Sequence, residues 1–361
     1  MLTIAGGGMA GLCAAARLRE LGGEAVVYEK GDRAGGSMLL SSCVVWRYRS
    51  LEEYRAECPG GDAALQRLVI ERLDEALEWL RSLGAPVVWE ETGNPRTVGL
   101  RFDPRGLTDA LVRAAGDVRL GASAPLDEVP LLLATGGFQG DAELVARHIR
   151  PAAPLRLRAN PWSVGDGLRT ALARDAALSA GMDEFYGRNM PDAGFGEADF
   201  VRLSQLYGRY ARVYDDHGEE FFPGEVSWSE TDLVQATARR PAARAWYVLD
   251  DEALARRVRE RTVAEMVAAA PTAVAPDELP FPAPPGARVA VRVAVAITHT
   301  IGGVKIDESA RVLDAAGRPI AGLYAAGADV GGLSTGGYAS GLAGALVFGR
   351  QAAETAVSEA A

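Results

Sequence analysis

The chain has 361 residues, is 48% hydrophobic and carries a formal net charge of −10 at pH 7. This length and composition predict one large or two modest domains with a sizeable core. The acidic balance argues against nucleic acid and acidic membrane surfaces as partners. No apolar run is long enough to span a membrane and the first residues lack a signal-peptide pattern, so we expect a soluble, cytoplasmic protein without a membrane partner.

The three cysteines, Cys13, Cys43 and Cys58, are odd in number and lack the spacing of metal ligands. The chain also has only three histidines, which argues against a histidine-rich metal site. We therefore predict neither a metal site nor a disulfide framework.

The chain opens on a short apolar run, Leu2–Ala5, that is suited to a buried strand. Gly6, Gly8 and Gly11 follow at the G-x-G-x-x-G spacing, within the start of an alanine-rich segment suited to a helix. In this pattern the first glycine permits a tight turn, the second lets the backbone approach a pyrophosphate, and the third lets helix and strand pack closely. The pyrophosphate is expected at the helix N-terminus, where unpaired N–H groups favour an anion.

A second apolar strand, Ala25–Tyr28, ends at Glu29, eighteen residues after Gly11. An acid at this place accepts hydrogen bonds from ribose hydroxyls and repels a 2′-phosphate, which favours FAD or NAD over NADP. The strand, the helix and the acid all occur where a dinucleotide-binding turn requires them. The glycines therefore differ from those of an ordinary surface turn.

Further cofactor-type segments lie far along the chain. The apolar run Val129–Ala134 ends in Thr135-Gly-Gly137, and a second glycine-rich stretch covers 322–350. Between them, the segment 189–296 is rich in aromatic residues, charges and prolines. Cofactor segments at both ends of one chain predict a dinucleotide fold that is interrupted by an insertion.

Seven groups of residues, in this order along the chain, resemble the flavoprotein family of fumarate reductases, succinate dehydrogenase flavoprotein subunits and 3-ketosteroid Δ1-dehydrogenases. They are Gly6-Gly-Gly-Met-Ala-Gly11, Glu29-Lys30, Gly35-Gly-Ser37, Ala134-Thr-Gly-Gly-Phe138, Gly165-Asp-Gly167, His299-Thr-Ile-Gly-Gly-Val-Lys-Ile306, and Leu323-Tyr-Ala-Ala-Gly327 with Val347-Phe-Gly-Arg350.

The resemblance implies an α/β fold: a Rossmann-like FAD-binding domain with three layers (ββα) and an inserted α+β capping domain. We expect the FAD domain at 1–188 and 297–361 and the cap at 189–296. It also implies hydride transfer between flavin N5 and a carbon near an electron-withdrawing group, in a site between the cap and the flavin ring. The flavin carries the redox chemistry, and the protein supplies geometry and acid or base catalysis.

The resemblance further assigns the residues that contact FAD. They are Gly6, Gly8, Met9, Ala10, Gly11, Glu29, Lys30, Gly36, Ser37, Ala134, Thr135, Gly136, Gly137, Asp166, Gly303, Gly327, Asp329, Gly341 and Leu342. Asp329 departs from the family, where many members carry Glu directly after Ala-Ala-Gly, and a helix N-terminal acid is the alternative interpretation. No histidine lies in 35–43 for covalent attachment, so we expect noncovalent FAD.

Two tyrosines stand where fumarate reductases carry substrate-binding arginines. The flanking motifs place Tyr338 near one of these positions, and a looser match of 212–221 places Tyr207 near the other. The dicarboxylate clamp is therefore predicted to be missing, although Arg209 lies close and would serve if the register shifts. The segment Tyr338-Ala-Ser-Gly341 instead resembles ketosteroid dehydrogenases, whose tyrosines polarise a ketone and remove a proton.

A phenol is neutral near pH 7, with a reference pKa of about 10, and can donate a hydrogen bond to a carbonyl. A neutral ketone or enone suits such a site better than succinate does. We therefore predict that Tyr338 polarises the substrate carbonyl and that Tyr207 is the base, with Tyr210 as its rival. Packing is the alternative role for both tyrosines of the cap.

His299 precedes Gly302-Gly303 in the His-Thr-x-Gly-Gly motif. A lone histidine after an apolar run is usually a strand-end residue. By the resemblance it points at the substrate carbonyl or carboxylate, with Thr300 assisting. Gly341 is a further candidate for substrate binding.

The predicted activity is FAD-dependent desaturation of a CH–CH bond beside a carbonyl, or reduction of the corresponding enone. One alternative keeps a carboxylate substrate, bound by His299 with Arg202, Arg209 or Arg212. A second alternative is a redox-neutral, FAD-dependent isomerisation. The chain has no motif for haem attachment or an iron–sulfur cluster, so an external electron donor or acceptor is expected.

Overall fold

The computed structural model describes residues 1–360, which form two compact units. The first unit contains Met1–Leu144, Ala159–Glu184 and the chain from His299 onward. The second contains Val145–Arg158 and Phe185–Thr298.

The strands are β1 (Leu2–Ala5), β2 (Ala25–Glu29), β3 (Val44–Tyr48), β4 (Val87–Trp89), β5 (Thr97–Phe102), β6 (Val118–Leu120), β7 (Leu131–Leu133), β8 (Arg156–Leu157), β9 (Phe185–Pro191), β10 (Arg212–Tyr214), β11 (Arg244–Leu249), β12 (Arg257–Val258), β13 (Arg261–Thr262), β14 (Ala273–Val274), β15 (Val289–Thr300), β16 (Arg311–Leu313) and β17 (Pro319–Ala325). The α-helices are α1 (Met9–Glu20), α2 (Gly36–Leu39), α3 (Leu51–Glu57), α4 (Ala63–Ser82), α5 (Pro104–Ala115), α6 (Ala142–His148), α7 (Asp166–Leu172), α8 (Asp199–Arg202), α9 (Thr231–Ala238), α10 (Asp251–Ala255), α11 (Val263–Ala268) and α12 (Gly341–Ala360).

The first unit is built on a six-stranded sheet in the order β16-β17-β7-β1-β2-β6. All neighbouring strands are parallel except β16 and β17. In the centre, Ile4 pairs with Val27 on one side and Leu132 on the other. Helix α1 packs against α12 and α5. Parallel strands covered by helices are buried on both faces, which fits the apolar run of β7 and the full burial of β1, where Thr3 is the one polar residue.

A separate three-stranded sheet, in the order β3-β5-β4, also belongs to the first unit. Strands β3 and β5 are antiparallel, with Trp46 opposite Gly99. The sequence analysis assigned no strands to this part of the chain. The sheet brings the aromatic side chains of β3 close to the C-terminal glycine-rich segment.

The second unit has a sheet in the order β10-β11-β15-β14, and β8 and β9 also pair with the long strand β15. Its core includes Tyr207, Leu233 and Tyr247, all without measurable exposure. The segment Val145–Arg158 lies here rather than in the FAD domain, where the sequence analysis had put it, because β8 pairs with Ala296 and Ile297 of β15.

The predicted α/β fold with an insertion is confirmed by this topology. Within residues 1–360, every helix is too short or too polar to cross a membrane.

Candidate active site

Two of the three fingerprint glycines are needed by the protein itself. Gly6 has a φ of +113°, and a Cβ added to it would lie 2.1 Å from the carbonyl oxygen of Ala134. A Cβ on Gly11 would lie 2.0 Å from the carbonyl oxygen of Gly6. A Cβ on Gly8, in contrast, would meet no protein atom within 4 Å. Protein packing therefore does not require glycine at position 8. A cofactor whose phosphates approach the backbone there would require it, because a side chain would block the approach.

The first turn of α1 fits an anion as well. Gly8 is the N-cap of the helix and supplies no side-chain hydrogen bond to it. The N–H groups at Met9 and Ala10 therefore begin the helix without a capping side chain, and they carry the positive end of its dipole. Such an N-terminus is suited to a pyrophosphate.

Glu29 is held beside this turn. Its side chain is buried, and its two carboxylate oxygens accept hydrogen bonds from the backbone N–H groups of Gly7 at 2.9 Å and Gly31 at 2.8 Å. Each carboxylate oxygen can accept a further hydrogen bond, so this arrangement fits ribose hydroxyls. The next residue, Lys30, forms an ion pair with Asp166 at the start of α7.

Other predicted cofactor residues gather around the same turn. Gly35 donates its N–H to the carbonyl of Gly7 at 2.8 Å, and a Cβ on Gly36 would lie 3.2 Å from Cα of Gly8. Ser37 accepts a hydrogen bond from the N–H of Asn160. Gly327, with a φ of +72°, faces Ala10 of α1.

Asp329 braces the second turn, which follows β7. Its buried carboxylate accepts hydrogen bonds from the N–H of Thr135 at 2.5 Å, the hydroxyl of Thr135 at 2.9 Å and the N–H of Gly137 at 3.1 Å. A Cβ on Gly167 would lie 2.7 Å from this carboxylate. Asp329 thus stabilises the loop. This role differs from both interpretations of the sequence, a contact with FAD and a helix N-terminal acid.

His299 and Gly341 lie side by side in the first unit. A Cβ on Gly341, the first residue of α12, would lie 3.4 Å from Cε1 of His299. Burial lowers the pKa of His299 to about 4, so the imidazole is neutral near pH 7. A neutral imidazole carries one donor and one acceptor, and it needs no counterion.

Thr300 and His299 are adjacent in β15, so their side chains point to opposite faces of the strand. Its hydroxyl lies next to Gly137, where an added Cβ would be 2.7 Å from Oγ1. Within residues 1–360 this buried Oγ1 has no hydrogen-bond partner. The structure therefore groups Thr300 with the second turn rather than with His299.

Tyr338 is half-buried and lies against aromatic residues of β3. Its ring centroid is 5.7 Å from that of Trp46, and its carbonyl accepts a hydrogen bond of 2.6 Å from the hydroxyl of Tyr48. Sequence reasoning missed both contacts. The available signal was the run Trp46-Arg-Tyr48, whose alternation puts two aromatic rings on one strand face.

Tyr207, the predicted base, is fully buried in the core of the second unit. Its hydroxyl donates a hydrogen bond to Oε1 of Gln205, and its ring packs edge-on against Tyr247 at 5.9 Å. Burial raises its pKa well above the ordinary value. These contacts favour the packing role. The rival Tyr210 also packs against this core, with the guanidinium of Arg256 over its ring.

The three arginines of the carboxylate alternative are all engaged within the second unit. Arg202 pairs with Asp199 and Arg212 with Glu220, each at 2.6 Å. Arg209 donates to the carbonyl of Trp228, and its Nε lies 3.7 Å from Glu230.

Glu230 is a buried acid that the sequence analysis passed over. It has a φ of +57° at the start of α9 and also accepts a hydrogen bond from the N–H of Arg209 at 3.3 Å. Burial raises its pKa to about 7, although Arg188 and Arg209 oppose the shift. A pattern of polar residues could not have revealed this, because the shift depends on burial.

The family model described as "FAD binding domain" matches residues 2–124 and 126–344. Among curated proteins, the chain is 23% identical to a probable fumarate reductase Ifc3 of Shewanella frigidimarina, over 99% of this chain and 74% of that protein. It is also 23% identical to the NADH:fumarate oxidoreductase of Klebsiella pneumoniae, over 99% of this chain but only 48% of that protein. The chain thus spans about half the length of the second relative.

Solved structures with the same fold include both groups named by the resemblance. A flavocytochrome c3 fumarate reductase in an open conformation matches with a TM-score of 0.73 at 21% identity, covering all of this chain and 78% of that chain. A 3-ketosteroid-Δ4-(5α)-dehydrogenase from Rhodococcus jostii RHA1 matches with a TM-score of 0.72 at 18% identity, covering 98% and 96%. A 3-ketosteroid Δ1-dehydrogenase from Sterolibacterium denitrificans gives 0.71 at 16% identity, covering 99% of both chains.

These matches confirm the resemblance and the predicted cofactor. The glycine turn, the acid at the end of β2 and the braced turn after β7 are the parts that would hold FAD. The chain belongs to the FAD binding domain family and is an FAD-dependent oxidoreductase.

Proposed function

We propose that this oxidoreductase transfers a hydride between FAD and a CH–CH or C=C bond beside a ketone carbonyl. The observation that carries the proposal is the neutral imidazole of His299, which lies against Gly341 at the start of α12, three residues after Tyr338. The arginines that would bind a carboxylate are engaged in ion pairs of their own. A neutral carbonyl compound suits such a site better than a dicarboxylate does.

Tyr338 would donate a hydrogen bond from its phenol to the substrate carbonyl. This contact strengthens as negative charge develops on the oxygen, so it favours removal of the neighbouring proton. His299 would orient the same carbonyl through its neutral ring, and Gly341 would leave room for close approach. Bound FAD supplies the two-electron chemistry at flavin N5.

Proton transfer needs a group whose pKa lies near the working pH. Glu230 meets this condition, because burial raises its pKa to about 7. Tyr207 meets it less well, because burial raises its pKa away from neutrality. By pKa, Glu230 is therefore a better candidate than Tyr207 for the acid or base.

Noncovalent binding of FAD is part of the proposal. Cys43 is the cysteine nearest to the Gly35-Gly36 segment in sequence, and it is fully buried. Burial raises the pKa of its thiol to about 12, which disfavours the thiolate needed for attachment.

The test is anaerobic mixing of the FAD-loaded protein with saturated cyclic ketones, and in parallel with succinate. Loss of the oxidised flavin absorbance with a ketone alone supports the proposal. The reduced protein is then mixed with cyclic enones and with fumarate to examine the opposite direction. Reaction with succinate or fumarate alone contradicts it, and so does unchanged turnover of the ketone by Tyr338→Phe.

A carboxylate substrate remains the second candidate, because both curated relatives carry fumarate in their names. Arg209 is the arginine to test first, because its side chain is the least exposed of the three and lies beside the buried Glu230. Arg209→Gln should then raise the KM for the carboxylate strongly, since a charge-assisted bond is lost. The same change should leave ketone binding nearly unaffected.

A further inference from the structure

The segment that carries Tyr338 has no regular secondary structure of its own. Residues 331–340, between the end of β17 and the start of α12, form only turns, bends and irregular chain. No hydrogen-bonded ladder fixes the backbone here, so its polar groups must find partners elsewhere. The N–H of Gly336 donates to Glu184 at 2.7 Å, and the carbonyl of Leu333 accepts from Gln66 at 3.0 Å.

Strand β3 presents two aromatic residues to this segment. Trp46 and Tyr48 are two positions apart, so they lie on one face of the strand. Their rings meet edge to face at a centroid distance of 5.3 Å and an angle of 86°. Arg47 lies on the other face, where its guanidinium pairs with Asp74 at 2.6 Å.

The two rings contact different parts of the same residue. The hydroxyl of Tyr48 donates a 2.6 Å hydrogen bond to the carbonyl of Tyr338, while the ring of Trp46 lies 5.7 Å from the Tyr338 ring at an angle of 60°. Tyr48 is 0% exposed and Trp46 is 7% exposed. A buried hydroxyl is costly unless it is hydrogen-bonded, so packing alone would be served equally well by phenylalanine at position 48. The hydroxyl, which phenylalanine would lack, ties the backbone of Tyr338 to β3.

We propose that Trp46 and Tyr48 are positioning residues, which hold the phenol of Tyr338 in the geometry needed to bind the substrate carbonyl. Tyr48 fixes the backbone and Trp46 restricts the ring. The catalytic consequence rests on the proposed function, whereas the positioning itself does not. A hydrogen-bond donor to a developing charge acts only at the correct distance, and displacement by about 1 Å can cost as much as 100-fold in rate.

A direct readout of positioning is the ¹⁹F spectrum of 3-fluorotyrosine incorporated at position 338 of the full, FAD-loaded chain. Tyr48→Phe and Trp46→Phe should each shift or broaden this resonance. Tyr54→Phe is the matched control, because it removes another buried phenol hydroxyl whose ring packs on Tyr48 at 5.2 Å, without touching the bond to Tyr338. An unchanged spectrum in both β3 variants would overturn the positioning.

Kinetics then test the consequence. Tyr48→Phe should lower kcat on a cyclic ketone on the order of 10-fold with little change in KM. The same substitution made in a Tyr338→Phe background should have no further effect on kcat, since residues acting through one another are not additive. Additive losses would show that Tyr48 acts independently of Tyr338 and would overturn the proposal. A perturbed ¹⁹F resonance together with full activity of Tyr338→Phe would instead leave the positioning intact and refute the proposed function.

Discussion

The carboxylate of Asp329 accepts three hydrogen bonds from the turn after β7, two of them from Thr135. It thereby joins the loop that follows β17 to the loop that follows β7. Neighbouring parallel strands bring these loops to the same edge of the sheet, where α/β folds bind their ligands. The hydroxyl of Thr135 also accepts from the N–H of Gly167 at 3.0 Å, which ties the start of α7 to the same point.

Asp329→Asn should therefore weaken both the fold and the retention of FAD. The amide keeps the size of the side chain but replaces one acceptor by a donor that faces N–H groups. Each donor left unsatisfied costs about 1–3 kcal/mol. We expect a lower Tm and a reduced flavin-to-protein ratio after gel filtration. Asp314→Asn changes a loop acid that pairs with the exposed Arg318 and should leave the flavin ratio unchanged.

The fingerprint glycines should respond differently to alanine. Gly11→Ala places a methyl group 2.0 Å from the carbonyl of Gly6 and should destabilise the protein even without cofactor. Gly8→Ala meets no protein atom within 4 Å, and its φ of −83° is accessible to alanine. The Gly8 variant should fold normally and bind FAD poorly. Comparison of the Tm of both cofactor-free variants with their FAD affinities tests this, and a large loss of cofactor-free stability in Gly8→Ala would contradict it.

Glu29→Gln should weaken FAD binding while conserving the shape of the side chain. The amide nitrogen would face the N–H of Gly7 or Gly31, where the carboxylate accepts from both. It would also lose charge-assisted bonds to the ribose, each worth about 1.5–3 kcal/mol. We expect an increase in Kd of at least about 10-fold, measured by flavin fluorescence. Glu24→Gln, at an exposed position just before β2, is the matched control and should bind FAD like the parent protein.

Local patterns made the first unit predictable. A strand, a glycine turn and an acid at the end of the next strand lie within thirty residues of sequence, so their geometry depends on residues close in the chain. The second unit was harder to delimit, because Val145–Arg158 joins it through pairing of β8 with β15, far along the chain. A two-residue strand has no periodicity from which that pairing can be inferred.

The same difference between local sequence patterns and contacts with distant residues applies to the catalytic candidates. His299 and Gly341 were named from a motif and a segment, and the structure brings them together. Tyr207 was chosen by its place in a loose match, and a residue name does not reveal that the hydroxyl is buried against Gln205. Glu230 was missed for the same reason, since an acid in a polar stretch ordinarily lies in solvent.

Glu230 should make stability depend on pH. Burial raises its pKa from 4.5 to about 7, so below pH 4.5 the side chain is protonated in both folded and unfolded states. Between pH 4.5 and 7 the unfolded chain loses the proton that the folded protein keeps, so the free energy of unfolding falls as pH rises. The loss is on the order of 3 kcal/mol, at about 1.36 kcal/mol for each pKa unit.

Glu230→Gln removes this titration, and its stability relative to the parent should rise between pH 5 and pH 8. The measurement is Tm of the FAD-loaded parent and variant across that range. Glu219→Gln changes an exposed acid beside Arg240 and should give a difference that does not vary with pH. If the difference between Glu230→Gln and the parent were equally constant, the side chain would be charged throughout this range, and Glu230 would be unsuited to hold the proton that the proposed reaction moves.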